Sequence, residues 1–191
     1  PSPAVGLGED FLYICCMSPF ISIIIPFYGT ADPVLLQRCL DSIRRQGMEE
    51  GSYEIIVVDD NGKGLGGARN QGIRQATGTY LMFVDADDYL FPNLSYCFPY
   101  LLKYTPDVCS FQMCEVNRPG VIPQSFNYKW EVYESGAEYM SKNNFMGTAW
   151  RHFFSRSFLN IHGLAFAESC FHEDEDFVAK AYCLASTTLI T

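Results

Sequence analysis

Three short, mainly apolar runs constrain the fold more than any other feature of the chain. They occupy residues 21–27, 54–58 and 79–84, and each is continuous rather than alternating. Continuous runs of this length are typical of strands that are covered on both faces. Because a helix-length segment separates each run from the next, we expect a β-α-β-α-β unit with parallel strands. Ligands of such sheets gather at the carboxyl ends of the strands.

The two connecting segments carry different helix signals. Asp32-Pro33 supplies an N-cap and a first-turn proline for a helix with an apolar stripe, and Gly47 is placed to end it. The glycine-rich residues 62–67 lead into a second helix with a face of small residues. Both connections are therefore predicted to be helical crossovers.

The second half of the chain mixes helical and strand periodicity. Residues 117–134 are expected to be loop and short strand. The patterns predict a helix over 94–102, strands at 107–116 and 149–154, a short helix opened by a capping box at 135–138, a last helix from about 173 to 184, and the opening of a strand at 187–191.

Composition narrows the class of protein. The 191 residues carry a formal net charge of −9, so the chain lacks the basic surface that nonspecific nucleic-acid binding requires. Eight cysteines without paired C-x-x-C spacing favour free thiols in a reducing compartment. Pro19 and Pro26 divide the uncharged stretch 11–31, which argues against a membrane span. The residues just before this stretch are acidic, whereas a signal peptide begins with basic residues. We expect a cytoplasmic protein with no transmembrane segment. Peripheral contact with the inner face of the membrane is compatible with this expectation.

Acidic residues form three short clusters: Asp59-Asp60, then Asp85, Asp87 and Asp88, and last the run 173–176. The first two follow buried strands, where packed like charges repel one another unless a cation or a ligand is present. Asp85 and Asp87 form a D-x-D pair of hard oxygen ligands suited to Mg²⁺ or Mn²⁺. Alternatively, these residues only cap turns or helices. This alternative has more support for the run 173–176, because acids are favoured in the first turn of a helix.

A second motif competes with the carboxylate sites. Residues 62–67 read GKGLGG and formally match the dinucleotide fingerprint G-x-G-x-x-G between a strand and a helix. Asp85 follows at about the distance of a ribose contact. Against this, Asp59 and Asp60 would face the pyrophosphate that the glycine turn should attract. A Rossmann-type dinucleotide enzyme is therefore an alternative.

Five segments taken together resemble the family 2 glycosyltransferases of GT-A fold. They are ISIIIPFY at 21–28, IIVVDDN at 55–61, GARNQG at 67–72, FVDADDYL at 83–90 and HEDEDF at 172–177. Their order and spacing fit over residues 20–185, and residues 150–159 also look like the segment that precedes the E-D motif in these enzymes. The resemblance implies an α/β fold, a GT-A-type, Rossmann-like three-layer sandwich with a mostly parallel central sheet.

The resemblance also implies an activity and a set of site residues. It implies an inverting, metal-dependent transferase that moves a sugar from a nucleotide diphosphate donor, usually a UDP-sugar, to a hydroxyl of a glycan or lipid-linked acceptor. Asp174 matches the general base, and Asp85 and Asp87 match the D-x-D that holds Mn²⁺ or Mg²⁺, with Asp87 the direct ligand. The positions that match donor-binding residues are Tyr28 near the base, Asp59 or Asp60 on uracil or ribose, Arg69 on the base, and Asp85 and Asp87.

The sequence departs from the family pattern after Asn61. Relatives commonly carry a further helix and strand before the G-x-A-R-N segment, whereas only residues 62–66 intervene here. Either an element is lost or residues are omitted at Asn61-Gly62. We expect an N-terminal extension at 1–19 and one glycosyltransferase domain from 20 that continues beyond 191, with a nucleotide-binding half (20–92) and an acceptor-side half (93–191). A non-catalytic nucleotide-sugar-binding module is a second alternative.

Overall fold

The computed structural model describes residues 18–27, 32–60, 62–91, 94–111 and 130–190. The strands in these residues are β1 (Ile21–Phe27), β2 (Tyr53–Asp59), β3 (Tyr80–Phe83), β4 (Val108–Ser110), β5 (Glu131–Tyr133), β6 (His152–Ser155) and β7 (Thr188–Ile190). They form one sheet in the order β2-β1-β3-β6-β4-β7-β5. β1 is parallel to β2 and β3, and β4 is parallel to β7, whereas β6 and β5 are antiparallel to their neighbours. The predicted α/β fold with a mostly parallel sheet is confirmed.

Helices cover both faces of this sheet. They are α1 (Pro33–Arg44), α2 (Gly64–Gln75), α3 (Phe98–Tyr104), α4 (Gly136–Lys142), α5 (Arg156–His162) and α6 (Glu173–Leu184). On one face, Cys39 of α1 and Phe98 of α3 belong to the same buried cluster as Ile23. On the other face, Phe177 of α6 belongs to a second cluster with Ile24. The molecule therefore has the three layers that were predicted.

The predicted capping residues are in place. The side chain of Asp32 accepts a 2.9 Å hydrogen bond from the N–H of Val34, and Pro33 is the first residue of α1. Ser135 caps α4 by accepting a 3.1 Å bond from the N–H of Glu138. These short-range signals correctly predict where α1 and α4 begin, because each depends only on residues within one helical turn.

The structure corrects the sequence prediction at three elements. The helix predicted over 94–102 begins as a 3-10 turn (Leu94–Cys97) before α3. The strand predicted at 149–154 also begins with a 3-10 turn (Ala149–Arg151), so that β6 starts at His152. Helix α5 was not predicted. Of the strand predicted at 107–116, residues 107–111 are described, and β4 occupies 108–110 of these.

Candidate active site

The carboxyl ends of β1, β2 and β3 lie along one edge of the sheet. Asp59, the last residue of β2, is in register with Phe27 of β1. On the other side of β1, the N–H of Val84 donates a 3.0 Å hydrogen bond to the carbonyl of Ile24, and Asp85 follows. Because neighbouring strands are about 5 Å apart, β2 and β3, which lie on either side of β1, are separated by roughly 10 Å. The first two acidic clusters therefore flank β1 at this edge.

The first acidic cluster contains one exposed residue and one turn-capping residue. Asp59 is exposed. Oδ1 of Asp60 accepts hydrogen bonds from the backbone N–H groups of Gly62, Lys63 and Gly64, at 3.0, 2.9 and 2.8 Å. In the dinucleotide alternative, N–H groups of this glycine turn would bind the pyrophosphate. This oxygen of Asp60 therefore caps the turn. Because it already accepts bonds from the N–H groups that a pyrophosphate would need, these contacts disfavour the dinucleotide alternative.

Asp85 is less exposed than Asp59 and has charged side chains of both signs around it. Burial is the largest cause that raises the pKa of Asp85 above its usual value of 3.8. The neighbouring guanidinium of Arg69 opposes this shift, whereas the negative charges of Asp87 and Asp174 add to it. An electrostatic contribution from Asp174 means that the start of α6 lies close to the D-x-D pair. The structure therefore brings the second and third acidic clusters together.

Asp87 is the more accessible member of the D-x-D pair. Its side chain is exposed, and its backbone carbonyl accepts a hydrogen bond from Nη2 of Arg38. Among the described residues, no group of three or more His, Cys, Asp or Glu side chains could hold a metal ion. Two carboxylates nevertheless fit Mg²⁺ or Mn²⁺ when water and phosphate oxygens complete the coordination. The D-x-D pair therefore fits a divalent cation that binds together with a diphosphate.

Arg69, on α2, is buried between the second and third clusters. Its side chain is 2% exposed. Nη2 donates a 2.9 Å hydrogen bond to Oδ1 of Asp85, and Nη1 donates a 2.6 Å bond to Oε1 of Glu173. The sequence pattern does not identify Glu173 as a partner of Arg69. A long-range pair of this kind leaves no periodic signal, and the only indication was that both residues lie in segments of the same resemblance.

The four acids at the start of α6 differ in their partners. Glu173 pairs with Arg69, and Asp176 accepts a 2.7 Å bond from Lys180 one turn later. Glu175 lies 3.5 Å from the ring of His172. Asp174 is half-buried, and its Oδ1 accepts a 3.1 Å bond from the next backbone N–H. In the described part of the chain, Asp174 is thus the acid of this run without a basic side chain beside it.

This edge of the sheet combines a D-x-D pair, a buried arginine and an acidic helix start. The family model for glycosyl transferase family 2 matches residues 22–63 and 60–158, which together are more than half of the chain. The chain belongs to glycosyl transferase family 2. The two matched segments overlap at residues 60–63, which include Asn61-Gly62, where a lost element or omitted residues were expected.

Several known proteins are similar to this member of glycosyl transferase family 2. The uncharacterized glycosyltransferase EpsJ of Bacillus subtilis (strain 168) is 29% identical over 204 residues, covering 87% of this chain and 57% of EpsJ. The structure of Staphylococcus aureus TarS 1-349 in complex with UDP-GlcNAc matches with a TM-score of 0.75 at 23% identity, covering 90% of this chain and 55% of TarS. The mannosyltransferase PcManGT of Pyrobaculum calidifontis, in complex with GDP-Man and Mn²⁺, matches with a TM-score of 0.59 at 15% identity, over 93% and 58% of the two chains. The GT-A fold is confirmed, and this chain spans little more than half the length of these proteins.

Two further predictions concern the nucleotide base and the membrane. Tyr28, predicted to lie near the nucleotide base, is outside the described residues. None of the helices in the described ranges is long and apolar enough to cross a membrane.

His152, the first residue of β6, is a buried histidine that the sequence did not link to the site. Its Nδ1 lies 2.8 Å from the carbonyl of Thr148, and its Nε2 lies 3.0 Å from the hydroxyl of Tyr182. Burial is the main cause that lowers the pKa of His152 from 6.5 to about 3, so the imidazole is neutral at physiological pH. It serves as a structural link between β6 and α6.

Proposed function

We propose that this protein transfers a sugar from a UDP-sugar to a hydroxyl of a glycan or lipid-linked acceptor, with inversion at the anomeric carbon and Asp174 as the general base. The observation that supports it best is the guanidinium of Arg69, which joins Asp85 to Glu173. This contact brings the residue next to Asp174 to the edge of the sheet where the D-x-D pair lies. An in-line displacement requires the base and the leaving-group site on opposite sides of one anomeric carbon, so both must lie close to the same donor.

The proposed reaction is a single displacement. The acceptor oxygen attacks the anomeric carbon and forms the new C–O bond, while the bond from that carbon to the diphosphate oxygen breaks. The electron pair of the broken bond stays on the diphosphate, and the acceptor proton passes to the carboxylate of Asp174. Asp174 suits this role better than Glu173, because the Glu173 carboxylate is buried and already accepts a bond from Arg69.

The donor contacts follow the edge from β2 to β3. Asp59 is exposed and is proposed to bind uracil or ribose, together with the oxygen of Asp60 that does not cap the turn. Tyr28 is proposed to stack near the base. The proposed contact between Arg69 and the base stays a prediction, since both terminal nitrogens of this buried side chain donate to carboxylates in the structure.

Asp87 and Asp85 are proposed to hold Mn²⁺ or Mg²⁺. Asp87 is exposed, whereas Asp85 already shares Oδ1 with Arg69 and would contribute through its other oxygen. A divalent cation there would offset the charge that develops on the departing diphosphate. The Mn²⁺ in the PcManGT complex is consistent with this role.

The remaining proposals concern organisation and location. Residues 20–92 are proposed as the donor half and 93–191 as the acceptor half of a domain preceded by an extension at 1–19. We also propose a cytoplasmic location with peripheral contact at the inner face of the membrane, where lipid-linked acceptors are found. Nucleic acid is not proposed as a partner, because the chain carries a net charge of −9.

Two measurements on the purified protein test the proposal. A thermal-shift panel of nucleotide diphosphates and NAD(P), with and without Mn²⁺, should show stabilisation by UDP that requires the metal, because a ligand that binds only the folded state raises its stability. UDP release from a panel of UDP-sugars should then rise when a mixed panel of sugar acceptors is added. Stabilisation by NAD(P) alone would favour a dinucleotide enzyme, and metal-dependent UDP binding without turnover on any donor would favour a non-catalytic module.

A further inference from the structure

The side chain of Glu173 holds the first turn of α6 against α2. Glu173 is 7% exposed, and its Oε1 accepts a 2.6 Å hydrogen bond from Nη1 of Arg69, which lies 104 residues earlier in the chain. Nη2 of the same guanidinium donates to Asp85 at 2.9 Å. Because the guanidinium is planar and rigid, the directions of both bonds are fixed relative to each other. One arginine thus sets the distance between a D-x-D residue and the start of α6.

The loop before α6 is attached to α2 by further contacts. Nδ2 of Asn70 donates a 2.9 Å hydrogen bond to the carbonyl of Phe166, and Oδ1 of Asn70 accepts a 2.8 Å bond from the N–H of the same residue. The ring of Phe166 stacks on Phe177 of α6, with centroids 3.8 Å apart. At Gly66, an added Cβ would overlap the carbonyl oxygen of Ala167. Helix α2, this loop and α6 are therefore packed together.

The start of α6 has no side-chain cap of its own. The N-cap residue, His172, has a left-handed backbone with φ of 61° and makes no side-chain hydrogen bond to the free N–H groups of the helix. Its ring is 77% exposed. Helix starts are commonly fixed by a capping side chain. Here Glu173, the first residue of the helix, attaches the helix start to α2 through Arg69 instead.

We propose that Glu173 is a positioning residue, which acts through Arg69 to fix Asp174 relative to Asp85 and the bound donor. This inference rests on the proposed role of Asp174 as general base. Glu173 does not itself accept the proton; it restrains the backbone of its neighbour. A displacement of about 1 Å at a reacting group can cost on the order of 100-fold in rate. The attachment is therefore expected to affect turnover more than donor binding.

The experiment compares Glu173→Ala and Glu173→Gln with the control Asp176→Asn. Asp176 is an acid of the same run, and among the described residues it pairs only with the exposed Lys180. Glu173→Ala should lower kcat by about 10–100-fold and leave the KM for the UDP-sugar close to that of the parent. Glu173→Gln should keep most of the activity, because its amide oxygen can still accept the bond from Arg69. Asp176→Asn should match the parent.

Hydrogen exchange of backbone amides in residues 163–176 provides a readout that does not need activity. Exchange should be faster in Glu173→Ala than in the parent or in Asp176→Asn. If the parent transfers no sugar, the proposed function fails, and exchange alone then decides whether Glu173 fixes the start of α6. If Glu173→Ala does not fold, Glu173→Gln and Arg69→Lys replace it, with loss of kcat and faster exchange expected for Arg69→Lys.

Three results would overturn the inference. Parental kcat in Glu173→Ala would show that the attachment has no effect on the reaction. Inactivity of Glu173→Gln equal to that of Asp174→Asn would show that Glu173 takes part in proton transfer directly. Equal exchange in Glu173→Ala and Asp176→Asn would show that α6 is held in place by other contacts.

Discussion

Oγ of Ser22, in β1, donates a 2.6 Å hydrogen bond to Oε1 of Glu54, in the neighbouring strand β2. The same oxygen accepts bonds from the N–H and hydroxyl of Thr77, at 2.7 and 2.9 Å, and from the N–H of Gly78 at 3.2 Å. Glu54 therefore connects the amino ends of two parallel strands to the turn between α2 and β3. Burial alone would raise the pKa of Glu54, but the hydrogen bonds from Ser22, Thr77 and Gly78 together lower it below 4.5.

Glu54→Gln should destabilise the protein at pH 7 by about 1–2 kcal/mol, since hydrogen bonds to a charged group are stronger than those to an amide. A lowered pKa means that the ionised form stabilises the fold above pH 4.5 and that this stability is lost as the pH falls through the folded-state value. The variant should therefore lose less stability than the parent as the pH falls below 4.5. Urea unfolding at several pH values measures this. Glu50→Gln, at an exposed site, is the control, and parental stability of Glu54→Gln at pH 7 would contradict the assignment.

His152 should make the protein sensitive to mild acid. Its pKa is lowered from 6.5 to about 3, mainly by burial and further by the charge of Arg151. Between these values the unfolded chain binds a proton that the folded protein does not, so stability falls as the pH drops below 6.5, by at most about 1.4 kcal/mol per pH unit. His152→Gln should be less stable at pH 7 but should show a shallower loss between pH 7 and 5. The exposed His172 provides the control His172→Gln; identical slopes in parent and His152→Gln would exclude this role.

Asp87→Ala should remove the metal-dependent part of UDP affinity. The side chain is exposed, so its loss should leave the melting temperature close to that of the parent. Isothermal titration with UDP, in the presence and absence of Mn²⁺, measures both contributions. Asp41→Ala removes an exposed acid that pairs with Arg44 and should bind UDP as the parent does. Metal-dependent binding that persists in Asp87→Ala would mean that the cation is held elsewhere.

Asp174→Asn should fold and bind UDP and metal like the parent, yet lose on the order of 10²–10⁴-fold in transfer rate, the usual range for a general base. Asparagine keeps the shape and hydrogen bonding of the side chain but cannot take the acceptor proton. Initial rates with a panel of UDP-sugars and acceptors measure the loss. Glu175→Gln serves as the control at an exposed position of the same run. If Asp174→Asn, Glu173→Gln and Asp176→Asn all transfer at the parental rate, the run 173–176 is only a helix start.

Elements defined by short-range patterns were predicted well from the sequence. The continuous apolar run of β1 and the 173–184 helix match the structure closely, because burial on both faces or a helical stripe leaves its own periodicity. Helix α5 was missed because it has only seven residues, of which Phe158 and Leu159 are buried. The insertion of the antiparallel β6 between β3 and β4 depends on tertiary pairing, which periodicity does not report.

The sequence predicted which acidic clusters lie at the site, but not which side chains contact one another there. Carboxylates after parallel strands were expected at one edge, and Asp59 and Asp85 lie there. The sequence is compatible with either a capping or a ligand-binding role for Asp60, since the choice depends on the path of the turn. The pairing of Arg69 with Glu173 depends on how α6 lies against α2, and no local pattern encodes it.

The place of β7 in the sheet determines the order in which the strands can assemble during synthesis. β1 pairs with β2 on one side and with β3 on the other, so this part of the sheet can form once the ribosome has released residue 83. In the described residues, β7 is the partner of β5 and lies along β4. Until Ile190 emerges, β5 lacks that partner and β4 has an open edge, which is a condition that favours aggregation. The nascent chain must therefore keep its second half from pairing wrongly for about one hundred residues of translation, which takes roughly 5–20 s at usual rates.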